Sequence, residues 1–298
     1  MRSLKARRIL GNTLIYLLLI VMSIIWIAPI LWLVLQSFSG DGIASRVRFV
    51  PNTWTFNNYI YLFSNFTNKV DPNASVSALD GKFFTWFMNT FIVAIVTCII
   101  STMFVLMTAY ALSRFRFKGR GIFMKLNLIL GMFPGFLSMI IMYWVMKEIF
   151  HLDGSYWALV IIYSAGTGTG FFISKGFFDT ISKSIDEAAM IDGATKSQIF
   201  WNIILPLSKP IVIYTILTSF MSPWGDYVTS SYIVGLQNID QWTVAIGLYQ
   251  MVTSNDYVTT YYTQFAAGAI CVAIPTTLLF IFLQKYYVSG VTGGAVKG

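Results

Sequence analysis

Charge is scarce in this chain. Asp, Glu, Lys and Arg make up 11% of its 298 residues, and there is one histidine; soluble domains carry about 25% charged residues. That shortage, with a mean hydropathy of +0.69, excludes an ordinary soluble globular protein. Cysteine is nearly missing too. Cys98 and Cys271 both fall inside apolar runs, where they read as small buried hydrophobes, so a disulfide or cysteine-metal framework is excluded. The alternation of polar and apolar residues that marks outer-membrane barrel strands is absent as well. There is no G-x-x-x-x-G-K-[ST] phosphate loop, no H-E-x-x-H and no G-x-S-x-G, so nucleotide-binding and hydrolase chemistry has no carrier by those motifs. The single histidine, His151, stands in a short turn, and metal binding or a catalytic triad has nothing else to draw on.

What remains is long uncharged stretches. Residues 9–40, 83–113, 126–146, 154–174 and 257–284 contain no Asp, Glu, Lys, Arg or His, and 210–225 is also free of them. A bilayer core about 30 Å thick takes roughly 20 apolar residues of helix. The reading is an all-α polytopic membrane protein, one domain over 1–298. Its six spans fall near 13–37, 85–112, 125–147, 157–175, 208–234 and 263–284. The apolar run after Arg2, Lys5, Arg7 and Arg8 is too long for a signal-peptide core, so it reads as an uncleaved first span.

Lys and Arg residues orient the chain. With both termini in the cytoplasm, 15 of the 20 fall inside, among them Arg114, Arg116, Lys118 and Arg120. Only Arg46, Arg48, Lys69, Lys82 and Lys147 fall outside, as the positive-inside rule requires. The loops are unequal: outer loops 38–84 and 235–262, and a cytoplasmic loop 176–207. The first outer loop is rich in Asn and aromatics and reads as a small cap. Gly166-Thr167-Gly168-Thr169-Gly170 lies within span four with no preceding strand, so close helix packing is the better reading.

The cytoplasmic loop carries the densest local signals. Ser184 with Glu187 reads as a capping box opening a helix, and Gly193 suits the left-handed position that ends one. Thr195 with Gln198 reads as a second box, and Pro206 restricts the chain at the entry to span five. The expectation is helix, glycine corner, helix, with Ala188, Ala189 and Ala194 forming an exposed face of small residues. It is either an interfacial hairpin or a docking element for a soluble partner. In span five, Pro223-Trp224-Gly225-Asp226-Tyr227 puts a carboxylate at membrane depth beside two helix breakers. That combination suggests a broken helix facing a cavity, although an interfacial anchor satisfied by water fits equally. From Pro210 to Asp226 is about 24 Å of helix, toward the outer side. Trp242 and Tyr249 in the outer loop can stack sugar faces or belong to an interfacial belt.

The loop resembles the "EAA" loop of ABC importer permeases, with matches at Glu187, Ala188, Ala189, Asp192, Gly193, Ala194, Ile204, Leu205 and Pro206. Ala109–Arg120, with its A-Y-A-x-x-R pattern, Phe133-Pro134 and Lys175–Ile181 resemble carbohydrate-importer permeases. The tail from Gln284 to Gly298 is similar to that of the shorter permease of maltose/maltodextrin importers. This resemblance implies an inner-membrane permease subunit moving maltodextrin-like oligosaccharides by ATP-driven alternating access. An importer for another solute such as glycerol phosphate, lactose or another oligosaccharide is the alternative. A stand-alone secondary transporter is the more distant one, since Asp226 is the only intramembrane ionisable residue in reach. The resemblance further implies a second homologous permease, a pair of ATPase subunits and an extracellular solute-binding protein. The chain itself would have no cofactor, catalytic residue or metal site, with ATP and Mg on the ATPases. Those loop residues would couple to the ATPase, and the tail would reach between its two copies. Trp224, Gly225, Asp226 and Tyr227 would line the substrate path, although relatives often carry Asn where this chain has Gly225.

Overall fold

The structure is a computed structural model that describes residues 2–64, 79–165, 170–255 and 257–295, with side chains from Arg8 to Lys285 within those ranges. The described chain is helical apart from one isolated bridge between Ser39 and Trp54. Three helices are long and apolar enough to cross a membrane singly: 8–37, 83–114 and 258–285; with each sharply bent pair counted as one span, there are six.

Contacts divide the chain into two units, Met1–Phe83 with Leu248–Cys271, and Phe84–Gly247 with Val272–Gly298. The first unit begins with α1 (Arg2–Ser37), which continues through Pro29. After a 3₁₀ turn (Gly42–Val47) comes α2 (Asn57–Phe63). Asn58, buried, organises this region. Its Nδ2 donates to the carbonyls of Ser37 and Ser39 at 3.0 and 2.8 Å, and its Oδ1 accepts from Thr263 Oγ1 at 2.9 Å. The Tyr261 hydroxyl donates to Asp80 at 2.5 Å. A Cβ on Gly268 would lie 2.6 Å from the Leu248 Cδ2 methyl and 3.1 Å from the Phe83 ring, so a side chain there would push Leu248 aside.

The second unit holds α3 (Phe83–Arg114), α4 (Arg120–Gly131), α5 (Gly135–Ile149), α6 (Tyr156–Ala165), α7 (Gly170–Thr180), α8 (Lys183–Ile191), α9 (Lys196–Leu207), α10 (Lys209–Gly225) and α11 (Tyr227–Val234). It ends with most of α12 (Val244–Thr253) outside it and the last part of α13 (Val258–Ala295) inside it. At one end of α3, Trp86 Nε1 donates to the Ile239 carbonyl at 2.7 Å, and Asn89 reaches the carbonyls of Asp240 and Trp242. Thr90 Oγ1 accepts from the backbone N–H of Val244 at 2.8 Å. At the other end a buried cluster gathers Leu106, Tyr110, Phe178, Phe200, Ile204 and their neighbours.

Three stretches that read as single spans are bent or broken, the third at the Pro223–Asp226 motif that suggested a break. Residues 125–147 fall on α4 and α5, which meet at 105°. Pro134 stands ahead of α5 with an extended ψ of 123°, and a proline disfavours helical geometry in the residue before it. Residues 157–175 fall on α6 and α7, at 43°; the glycine-threonine run 166–169 between them lies outside the described residues. Residues 208–234 fall on α10 and α11, broken at Asp226 (φ −88°, ψ 89°). The backbone of the tail continues α13 as far as Ala295, and residues 296–298 lie outside the described range.

Candidate functional site

Residues 182–207 fold as two short helices joined at a glycine. The first cap is not the one the sequence suggests. Ser182, not Ser184, is the N-cap of α8, its hydroxyl accepting from the Ser184 N–H at 3.3 Å. The reason lies in the neighbouring residue: Arg114 Nη2 donates to the Ile181 carbonyl at 3.0 Å, which fixes the chain just before Ser182. The other end follows local chemistry. The Ala194 N–H reaches back to the Ala189 carbonyl at 2.9 Å and the Gly193 N–H to Met190 at 3.1 Å. Those two bonds form a Schellman motif, and Gly193 holds the φ of +85° that it requires.

Thr195 then opens α9 with a complete capping box. The Gln198 N–H donates to Thr195 Oγ1, and Gln198 Oε1 accepts from the Thr195 N–H at 2.8 Å. Pro206 has no N–H for the helical ladder, and just ahead of it the ladder widens to a π turn over Phe200–Ile204. There the Leu205 N–H bonds back five residues to Phe200, as π turns do. Ser208 turns the chain by 86° into α10.

The small residues do not share one exposed face. Ala189 is 7% exposed and belongs to the buried cluster with Ile199, Phe200 and Ile204, while Ala194 and Leu205 pack partly against it. Ala189 lies one turn from Asp186, on the inward side of α8. The outward surface is Glu187, Ala188, Met190, Ile191, Asp192 and Gly193, with Ile191 86% exposed. Pro206 is exposed at the far end of α9.

Arg114, the last residue of α3, ties this hairpin to the membrane helices. Its Nε lies 3.0 Å from Asp186 Oδ2, with both side chains largely buried at 6% and 12% exposure. Burial raises the Asp186 carboxyl above its ordinary value, and the Arg114 charge opposes that rise. The preceding residue makes a parallel link: Ser113 Oγ donates to Asp179 at 2.6 Å, and Lys175 pairs with the same carboxylate one turn away. Lys196 sits over the Phe115 ring at 4.9 Å. A 460 Å³ cleft opens between these groups, lined by Tyr110, Arg114, Lys183, Glu187 and Lys196 among others. In the sequence Arg114 stands out only as part of the A-Y-A-x-x-R pattern. Asp186, its partner 72 positions away, stood unremarked beside Glu187.

The second candidate site is divided by the structure. Trp224 is buried among Phe87, Phe91 and Phe220, with ring centroids 5.1, 6.3 and 5.8 Å away. Gly225 ends α10. Asp226 caps α11, accepting from the Thr229 N–H at 2.9 Å and, through its carbonyl, from the Ser230 hydroxyl. Tyr227 is half-buried at the start of α11. Asp226 also faces a 270 Å³ cavity with Tyr163, Thr218, Ser222 and Thr229. The buried Tyr163 hydroxyl lies beside the carboxylate but outside good hydrogen-bond geometry. Trp224 does not line this cavity, so the aromatic and the acidic parts of the motif do different work. Trp242 is buried against Trp86, ring centroids 5.5 Å apart, and is not free to stack a sugar; Tyr249 is 43% exposed. Among the described residues, no group of three or more His, Cys, Asp or Glu side chains is placed to hold a metal ion.

Long and sharply bent apolar helices, with a capped helical hairpin clamped to the end of α3, make a multi-pass membrane protein. The family described as "Binding-protein-dependent transport system inner membrane component" matches residues 105–293, a segment that contains both candidate sites. The chain belongs to this family: it is an inner-membrane subunit of a transporter, not a catalytic enzyme. It is 37% identical to the galactooligosaccharides transport system permease protein GanQ of Bacillus subtilis, with 99% of each chain covered. It is 34% identical to the maltodextrin transport system permease protein MalD of Streptococcus pneumoniae, again over 99% of each. The maltose/maltodextrin permease protein MalG of Vibrio vulnificus is 31% identical over 91% of each. The fold is shared with a bacterial ABC transporter that imports the acidic polysaccharide alginate, with a TM-score of 0.73 at 24% identity over 94% of this chain and 97% of that one.

Proposed function

We propose that this chain is a permease subunit of an ABC importer for maltodextrin-like oligosaccharides, and that residues 182–206 dock it to the ATPase. The observation that carries the docking assignment is the capped hairpin, which exposes Glu187, Ala188, Ile191 and Gly193 while Arg114 holds its inner side to α3. Exposed apolar residues beside a carboxylate form a surface suited to a partner's groove. The relatives that transport maltodextrin and maltose support the substrate assignment. The 37% identity to a galactooligosaccharide permease favours a second reading, in which the cargo is a galactose-based oligosaccharide.

In this reading both termini and the hairpin are cytoplasmic, supported by the 15-to-5 distribution of Lys and Arg. ATP and Mg bind on the paired ATPase subunits and none in this chain. ATP-driven closure moves the hairpin, and α3 and α10 follow, opening the cavity alternately to each side. A second homologous permease completes the pathway, and the solute-binding protein delivers sugar at residues 235–262. Asp226 and the hydroxyls around its cavity belong to the path, with Trp224, Gly225 and Tyr227 shaping the helix break beside them. The tail from Gln284 reaches toward the ATPase pair.

The test is uptake by the reconstituted complex, with maltotriose and a galactotriose offered separately alongside binding protein and ATP. Maltotriose uptake that requires ATP, and stops in Glu187→Lys while the membrane subunits stay assembled, is the expected result. ATP-independent uptake would refute the importer assignment. Uptake of the galactose sugar alone would select the second reading.

A further inference from the structure

The chain leaves α1 at Ser37 but does not move straight away from it. It turns back on itself: the Ser39 N–H bonds to Gln36, the 3₁₀ turn Gly42–Val47 follows, and the carbonyl of Arg48 accepts two bonds from α1 side chains. Trp32 Nε1 donates to it at 3.0 Å and Gln36 Nε2 at 2.9 Å. Trp32 lies five residues before the helix end, about 7 Å down the axis at 1.5 Å per residue. A second clamp lies just beyond. Asp41 accepts from the backbone N–H groups of Asn52 and Thr53 at 2.7 and 3.0 Å, and from the Thr53 hydroxyl. Residues 46–50 are thus a short hook, pinned at its middle by the Arg48 carbonyl and just past its end at Asn52 and Thr53, alongside the last turns of a membrane-crossing helix.

The side chains on this hook are the wrong ones for water. Val47 is 89% exposed, and Phe49 and Val50 are about half exposed. Arg46, exposed, stands next to them, while Arg48 leans 3.7 Å from Asp41. The depth is informative: the polar layer of a bilayer is about 5–7 Å thick on each side of its hydrocarbon core, the same as the hook's return along α1. Tryptophan, here Trp32, prefers that level.

We propose that Arg46–Val50 is a lipid-binding hook, with Val47, Phe49 and Val50 inserted beside the lipid glycerols, against the first methylenes of the acyl chains, in the leaflet at the C-terminal end of α1. Arg46 meets a lipid phosphate there. The occupant is lipid because the hook continues the apolar surface of α1, whose membrane-crossing stretch is unburied within the chain, and because its free charge is cationic. The hook fixes the depth of α1 at that surface. The inference rests on α1 crossing the bilayer with this end facing lipid and not the second permease, and is independent of the substrate or the ATPase contact.

Nitroxide labels on Val47→Cys and Phe49→Cys, with Cys98 and Cys271 replaced by serine, test this in the intact transporter. The complex is placed in nanodiscs of phosphatidylethanolamine and phosphatidylglycerol, and relaxation by oxygen is compared with relaxation by a water-soluble nickel chelate. Asn52→Cys, on the exposed far side of the Asp41 clamp, serves as the aqueous reference. Oxygen relaxing the labels at 47 and 49 several-fold more than nickel, with the reverse at 52, is the expected result. Nickel dominating at 47 and 49 would make the hook an aqueous loop. Weak relaxation by both reagents would mean that a protein partner covers it. Either outcome overturns the proposal. Adding Arg46→Glu and Val47→Glu to the Phe49 label should move that position to nickel dominance while Asn52 is unchanged. No shift would mean that lipid affinity does not hold the hook in place.

Discussion

Replacing Arg114 by methionine leaves Asp186 as a buried carboxylate without its counter-charge. At 3.0 Å and an effective dielectric of about 20, the Coulomb attraction is about 5 to 6 kcal/mol. Much of that is offset by the desolvation of both groups, so the pair's net worth is small. Breaking one side is different, since a buried pair that loses a partner costs about 3–5 kcal/mol. Arg114→Met should fall in that range. Asp186→Asn should fall at its lower end, because Arg114 keeps its bond to the Ile181 carbonyl. The double variant Arg114→Met with Asp186→Leu should recover most of the loss, because it buries no unpaired charge. Helix content followed by far-UV circular dichroism, as the micelle is titrated with a denaturing detergent, measures all four proteins. Arg114→Met also gains a steeper pH dependence than the parent. Burial already raises the Asp186 carboxyl, and without Arg114 it rises further. A carboxyl raised in the folded state binds more protons there than in the unfolded state, so stability falls as pH increases through its titration. The deficit of Arg114→Met relative to the parent should therefore shrink in acid and grow as pH rises. Additive losses in the double variant, with no pH effect, would refute the coupling of these two groups.

Gly193→Val forces a branched residue to φ +85°, a strain of about 1–3 kcal/mol; it should weaken ATPase retention on copurification while membrane insertion is unchanged. Asp226→Asn keeps a capable N-cap and should preserve expression while changing uptake across a panel of oligosaccharides, whereas Asp226→Ala should also cost about 1 kcal/mol of stability through the lost cap. Equal uptake by Asn and parent would reduce Asp226 to a cap alone. Gly247→Ala places a methyl 2.0 Å from the Trp86 ring, so it should displace that indole, cost about 1–3 kcal/mol and shift the tryptophan emission spectrum.

Much of this was legible from the residues because it was local. Long uncharged runs mark the membrane helices, Thr195 and Gln198 make their capping box with each other, and Gly193 ends α8 through bonds to its own turn. What escaped depended on partners remote in sequence. Ser184 with Glu187 satisfies the same local rule as Thr195 with Gln198. The helix nevertheless starts at Ser182, where Arg114 fixes the preceding carbonyl. Ala189 looked like part of a flat outer face because nothing local says which side of α8 meets Tyr110 and Phe200. The bend at Pro134 was signalled by the proline, but its 105° was not, because a breaker states where a helix stops and not where the chain turns next. The motif at Asp226 read as a unit, yet its tryptophan and its carboxylate sit in separate surroundings.

The bond between Asn58 and Thr263 has a consequence in time. These residues are 205 positions apart, and a ribosome adding about 5–20 residues per second delivers the second roughly 10 to 40 s after the first. Throughout that interval Asn58 can satisfy its amide N–H groups on Ser37 and Ser39, but its carbonyl lacks the Thr263 donor, and Tyr261 has not yet reached Asp80. The first unit is thus begun by the earliest-made helix and finished by the latest. A nascent chain stalled before α13 carries an open seam at Asn58, by which an incomplete permease differs chemically from a finished one.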